Sequence, residues 1–326
     1  MTKQQKMGMV LKHLRESRAV TLSQAAKIFY LTEDEIAQYE KGTLRPNRNL
    51  LAEYSCAYDT PYNTFLLKKT YKQHHRASPL PCEKEGYEYE LQAYANNIWD
   101  LKEKLQDQIT PRQKKALKVC KESTYTLNDI REMAVDLRKQ LGLSELGAID
   151  FDKLNVHIFY APLFAKIKGV SFIDEQKKSF MIFINNHDDL YKQYFSIAHE
   201  LGHIMMHLSS TSDYEVQEQE ADKFANSFLV PYNELDPLLD LNDETQVLAM
   251  CKKYNISMKT TYHAYENAGI ISQEMREALC AKYNTLVNKP DKQGGVKENS
   301  YAKFIDEMVE KNIVTKAKAK AMKAFD

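Results

Sequence analysis

The sequence predicts a mainly helical α+β protein with one small β-sheet. Three observations carry that prediction: apolar residues spaced three and four apart over most of the chain, three short apolar runs between residues 156 and 184, and helix-start chemistry at Thr21 and Thr32. The 326 residues leave room for two or three domains, on the prior of roughly 100 to 200 residues each.

Residues 7–67 read as short helices, with apolar positions at Met9, Val10, Leu14, Leu22, Ala25, Ala26, Ile36, Leu50, Leu51 and Tyr54. Thr21 and Thr32 stand as N-caps, and Thr32 with Glu35 fits a capping box, in which each residue satisfies the other's backbone N–H. A tight turn at Tyr30 and Leu31 then gives a helix-turn-helix arrangement, closed by Gly42 and Arg45-Pro46. The stretch KKTYKQHHRASPLPCE, residues 68–83, is polar, basic and carries two prolines, so it reads as a linker. Residues 85–120 read as a helical hairpin whose second arm starts at Pro111.

A helix over 127–141 follows, then a strand at 156–160 and a hairpin formed by 170–173 and 180–184. The next helix is NNHDDLYKQYFSIAHELGHIMMH, and strand followed by helix is the order of a zincin cleft. The expected division is 1–70 helix-turn-helix bundle, 71–125 linker and helical connector, 126–285 the strand-then-helix domain that holds HELGH and 286–326 basic helical tail. The tail, rich in lysine, reads as a solvated or partner-binding appendage.

Composition excludes little. Lys plus Arg and Asp plus Glu both number 45, so net charge argues for no polyanion. Five scattered cysteines without CxxC spacing suit a reducing compartment. With no signal sequence and no apolar run of spanning length, a cytoplasmic protein without membrane partners is expected. Cys82 reads as an inert thiol.

HELGH at 199–203 carries the chemistry. Histidines four apart share one helical face, so His199 and His203 can reach one metal ion, and Glu200 beside them is placed as general base. A hydrolytic zinc site needs a third protein ligand and an open position for water. EVQEQEADKFANSFLVP offers Glu218 and Glu220. On a wheel of about 100° per residue, Glu218 lies closer to the apolar face set by Ala221, Phe224, Ala225, Phe228 and Leu229, and is preferred. Asp222, one turn on, is placed to fix a ligand histidine's tautomer. Gly202 inside the helix implies close packing, because glycine costs about 1 kcal/mol there relative to alanine. His207 extends the histidine face but reads as a surface or supporting residue rather than a fourth ligand, while His157, His187, His74 and His75 have no telling spacing. The strand 180–184 is expected to pair with an extended substrate through its main chain.

FSIAHELGHIMMH followed by EQEADKFANSFLVP resembles the ImmA/IrrE family of metallopeptidases over about residues 127–275. That resemblance implies one zinc ion, His199, His203 and Glu218 as ligands, Glu200 as catalytic base, and site-specific cleavage of a repressor-like protein in the cytosol. Residues 7–67 resemble the XRE (Cro/repressor-type) helix-turn-helix family through QAAKIFYLTEDEIAQYEKGTLRP. That second resemblance implies DNA binding and transcription regulation. The reader helix TEDEIAQYE carries Glu33, Asp34, Glu35 and Glu40 and no basic residue, which opposes phosphate contact. Thr32, Gln38 and Arg45 are the candidate DNA contacts, with Lys3, Lys6, Lys12, Arg15, Arg18, Lys41 and Arg48 available for the backbone.

The leading expectation is a regulatory zinc endopeptidase tethered by its N-terminal bundle to DNA or to a regulator. A rival reading is a DNA-binding regulator whose metal site senses or stabilises. A third is self-cleavage in the linker 68–83.

Overall fold

The structure, a computed structural model, describes residues 1–68, 72–77, 84–104, 124–143, 149, 151, 156–164, 167–174, 179–207, 212–285 and 297–323. The α+β class is borne out: thirteen helices among the described residues surround one four-stranded sheet.

Four helices open the chain, α1 (Lys3–Ser17), α2 (Leu22–Phe29), α3 (Glu33–Lys41) and α4 (Arg48–Ala57), followed by a 3-10 turn at Tyr62–Leu66. Reciprocal capping boxes start α2 at Thr21 and Gln24 and α3 at Thr32 and Glu35, so two orphan backbone donors are met at each. Val10, Leu14, Ala25, Phe29, Ile36 and Tyr54 fill the core, where the Phe29 and Tyr54 rings stack at 4.0 Å. Two arginines expected to reach a nucleic-acid backbone are committed internally instead. Arg15, 8% exposed, pairs with Glu40 at 2.6 Å, and Arg18 pairs with Glu90 at 2.7 Å. Glu40 is thereby neutralised, leaving Glu33, Asp34 and Glu35 as the acidic set in the first turn of α3, where the helix dipole favours them.

Glu90 belongs to α5 (Lys84–Lys104), and His13 also approaches it at 2.7 Å, so a buried ionic knot fastens α1 to α5. Burial alone would raise the Glu90 carboxyl; Arg18 and His13 outweigh that and hold it at about 2. Pro111, the expected start of a second arm after α5, lies outside the described residues, as does Cys82.

The sheet has the order β1-β3-β4-β2, with β1 (Lys72–Ala77), β2 (His157–Ala161), β3 (Ile167–Asp174) and β4 (Ser179–Asn185). The β3–β4 hairpin is antiparallel, β2 runs parallel to β4, and β1 is antiparallel to β3. This corrects two expectations. The segment read as a linker contributes an edge strand, and β3 satisfies the backbone donors and acceptors that β1 turns toward it. The strand expected to pair with substrate, Phe180–Ile184, lies inside β4, flanked on both sides, and has no edge to offer.

Alternation splits the sheet between two cores. Val170, Phe172, Met181 and Phe183 face α5, α12 (Ser300–Glu310) and α13 (Lys316–Met322), against Leu91, Tyr94, Ile98, Tyr301, Ile305 and Met308. The C-terminal segment is therefore packed, not a solvated appendage. Tyr301 donates its hydroxyl to the Met322 carbonyl at 2.7 Å and accepts from the Asn97 amide at 2.8 Å.

Ile182 and Ile184 face the opposite layer of α6 (Leu127–Gln140), α7 (Leu190–Met206), α8 (Tyr214–Leu229), α9 (Glu244–Tyr254), α10 (Met258–Asn267) and α11 (Gln273–Thr285). At the crossing of α7 and α8, a Cβ on Gly202 would stand 3.2 Å from the Ala221 Cα and 3.2 and 3.3 Å from Phe224 atoms. Gly202→Ala would gain about 1 kcal/mol of helix propensity against an overpacking cost of roughly 1–3 kcal/mol. Thermal unfolding of this variant should show a lower midpoint, because α8 is pushed off α7. A midpoint equal to or above that of the parent would refute the packing argument.

Candidate metal centre

α7 is buried almost all round because it lies between the sheet and α8. Its polar residues are therefore forced to find partners inside the protein. His199, Glu200, His203 and His207 are each at most 1% exposed. Gly169 on β3 lets the sheet approach this row closely, since a Cβ there would come within 3.3 Å of the Glu200 Cγ and 3.4 Å of the Ser196 Cβ.

His199 and His203 turn their Nε2 atoms toward one another at 3.0 Å. Glu218 of α8 completes the triangle, with carboxylate oxygens 3.5 Å from His199 Nε2 and 3.1 Å from His203 Nε2. These three side chains form a group able to hold a metal ion. These separations, the two to Glu218 running to different carboxylate oxygens, bracket about 3.3 Å, the ligand–ligand separation of a tetrahedron whose zinc bonds are about 2.0–2.1 Å. The donor set of two nitrogens and one carboxylate also suits zinc, so the residues present fit the ion.

The second nitrogen of each histidine is engaged too. His199 Nδ1 lies 2.8 Å from Asp222 Oδ1, which fixes the proton on Nδ1 and leaves the Nε2 lone pair toward Glu218. For His203 the support runs through two residues. His203 Nδ1 is 2.8 Å from His207 Nδ1, and His207 Nε2 is 2.9 Å from Glu220 Oε2. One proton order gives His203 a free Nε2 lone pair: His203 Nδ1–H donates to His207, whose Nε2–H donates to Glu220. The Tyr125 backbone N–H donates to the other Glu220 oxygen at 3.0 Å, and the Tyr125 hydroxyl donates to the Met206 carbonyl at 3.2 Å.

The electrostatics agree with this order. Burial pushes the His203 imidazole down to about 3, so it stays neutral and able to ligate. Burial lowers His207 as well, against the opposing pull of Glu220. For Glu218, burial would raise the carboxyl, but its contacts with His199 and His203 outweigh that and hold it well below the ordinary carboxylate range, the carboxylate drawing to these Nε2 atoms either a proton or, in the order above, a metal ion. At the head of α8, burial, the Glu218 charge and a hydrogen bond to Glu218 raise the Tyr214 phenol, which remains a proton donor.

A chain fold that brings two helical histidines, a carboxylate and a buried glutamate together is matched by a family model over the same residues. Residues 151–266 match the IrrE N-terminal-like domain of the Peptidase M78 family. The match supports a metallopeptidase-type family for this segment and agrees with the ImmA/IrrE resemblance. It runs from just before β2 into α10, containing all of α7 and α8 but not the N-terminal bundle, β1, α12 or α13. No curated protein and no solved structure matches the chain. Among the described residues, no helix is long and apolar enough to cross a membrane.

The remaining candidates are not at this site. Thr32 is spent in its capping box, its hydroxyl donating to Glu35 Oε2 at 2.9 Å, and Gln38 hydrogen-bonds Asp34 on the same helix. Arg45 is exposed beyond the end of α3. Sequence reasoning missed that His207, Glu220 and Tyr125 come together behind His203. The spacing of His207 was visible, but Glu220 was discounted by its angle from the apolar face of α8. In the fold it is 4% exposed, because α6 and the segment before it cover that side.

Proposed function

We propose that this chain is a zinc-dependent endopeptidase that cuts a repressor-type regulatory protein, with the N-terminal helical bundle docking on DNA or on the regulator. The observation that carries the reading is the triangle of His199, His203 and Glu218 beside the buried Glu200, inside a segment matched to a peptidase family.

His199, His203 and Glu218 would hold a zinc ion, and the ion would supply Lewis acidity, acidifying a water toward neutral pH and polarising a peptide carbonyl. Glu200, adjacent in sequence to the first ligand, takes the water's proton on its carboxylate and delivers it to the departing amine. Asp222 and the His207–Glu220 pair hold the two imidazoles in the tautomer and orientation the ion requires. Gly169 keeps the β3 backbone against Glu200, limiting the space around the carboxylate.

The test is metal analysis combined with cleavage. Purified full chain should hold one zinc per molecule and cut a helix-turn-helix repressor at a defined bond, read by intact mass. Glu218→Ala should lose both the zinc and the cutting. Full zinc occupancy of Glu218→Ala would remove Glu218 from the ligand set, and a zinc-loaded parent that cuts no repressor would favour a sensory or structural metal.

A further inference from the structure

The strand that runs along the proposed catalytic helix is β3, and its outer edge is already taken. Gly169 marks where β3 abuts Glu200 and Ser196. A peptidase that binds extended polypeptide by strand addition would use an edge at this position, because unsatisfied main-chain N–H and C=O groups there give affinity without regard to sequence. β1 covers it in antiparallel register from Lys72 opposite Ile173 to Arg76 opposite Gly169, with an irregularity between Arg76 and Ala77. One inter-strand spacing, about 4.8 Å, thus separates Arg76 from the β3 residue that touches Glu200. β1 also packs on α7.

The sequence of β1 makes it a weak occupant. KQHHRA has no β-branched or aromatic residue, and four of its six side chains are basic or imidazole. Its anchors, by contrast, are firm on both sides. Before it, Asn63 donates to the Asn97 side chain at 2.8 Å and to the Ala93 carbonyl at 3.3 Å on α5; after it, α5 begins at Lys84 and is tied to α1 through Glu90. The described segments on either side of β1 are thus both fixed on α5 by contacts that do not involve β1.

We propose that Lys72–Ala77 is an intramolecular occupant of the substrate edge, which closes the metal site to extended polypeptide until the strand is displaced. The proposal rests on the peptidase reading above and adds latency to it. The partner that opens the site is an extended polypeptide segment that competes with β1 for β3.

The test compares the zinc-loaded full chain with its His74→Pro/His75→Pro variant. Adjacent residues of an antiparallel strand alternate between paired and outward N–H groups, so one of the two prolines must remove a ladder donor. A tripeptide hydroxamate, which needs both the metal and an edge, should bind the variant at least tenfold more tightly, while acetohydroxamate, which needs only the metal, should bind both alike. Equal affinity of the tripeptide hydroxamate for both chains, or binding to neither while acetohydroxamate binds, overturns the proposal. Loss of acetohydroxamate and zinc from the parent would instead sink the metal site itself. A measurement on the unaltered chain guards against misfolding of the variant: at saturation, the tripeptide hydroxamate should speed amide exchange in residues 72–77, and acetohydroxamate should not. Unchanged exchange in that segment would also overturn it.

Discussion

Glu200→Gln should bind zinc as well as the parent chain does and cut its polypeptide about 10²–10⁴-fold more slowly, the range expected for removing a general base. The glutamine keeps the size and the hydrogen-bonding oxygen of the original, so the 0% exposed position beside Gly169 has no cavity or clash to absorb. What it cannot do is accept a proton at neutral pH. The ligand triangle is left whole, because Asp222 holds His199 Nδ1 and His207 holds His203 Nδ1. Zinc titration and turnover on the same preparation separate the two effects. A variant that retains zinc and full turnover would remove Glu200 from the chemistry, whereas joint loss of zinc would assign it to the metal's support.

What the sequence made legible follows from which forces are local. The caps of α2 and α3 are set by residues three apart and could be read directly from Thr21, Thr32 and Glu35. The hairpin β3–β4 was visible because both strands are apolar runs, and α7 because its histidine spacing and apolar content agree. Strand order is not local. Nothing in Phe180–Ile184 says that β2 and β3 will flank it, and nothing in KQHHRA predicts a strand, since β3 supplies the pairing. The tail misled for another reason. Its lysines drew attention to charge, while Tyr301, Ile305 and Met308, spaced four and three apart, already carried the apolar stripe that packs on α5 and the sheet.

The same distinction explains the treatment of Glu220 and leads to the second large effect. A helical wheel ranks residues by the face of one helix, yet Glu220 is buried by contacts to His207 and to the Tyr125 backbone from two other segments. His207→Leu and Glu220→Gln are each expected to weaken zinc binding by about 10–100-fold, the usual cost of removing an orienting partner from a metal-ligating histidine, with all three ligands still present. In His207→Leu, the His203 Nδ1–H loses its acceptor inside the protein, so the ring has less reason to keep its Nε2 lone pair toward Glu218. In Glu220→Gln, the acceptor for the His207 Nε2–H weakens from a carboxylate to an amide, so the smaller end of the range applies. Competition with a chelator of known zinc affinity, alongside circular dichroism to confirm the fold, measures both. Parental zinc affinity in a folded His207→Leu chain would mean that His203 needs no orienting partner. Weakening in His207→Leu but not in Glu220→Gln would place the control at the imidazole alone.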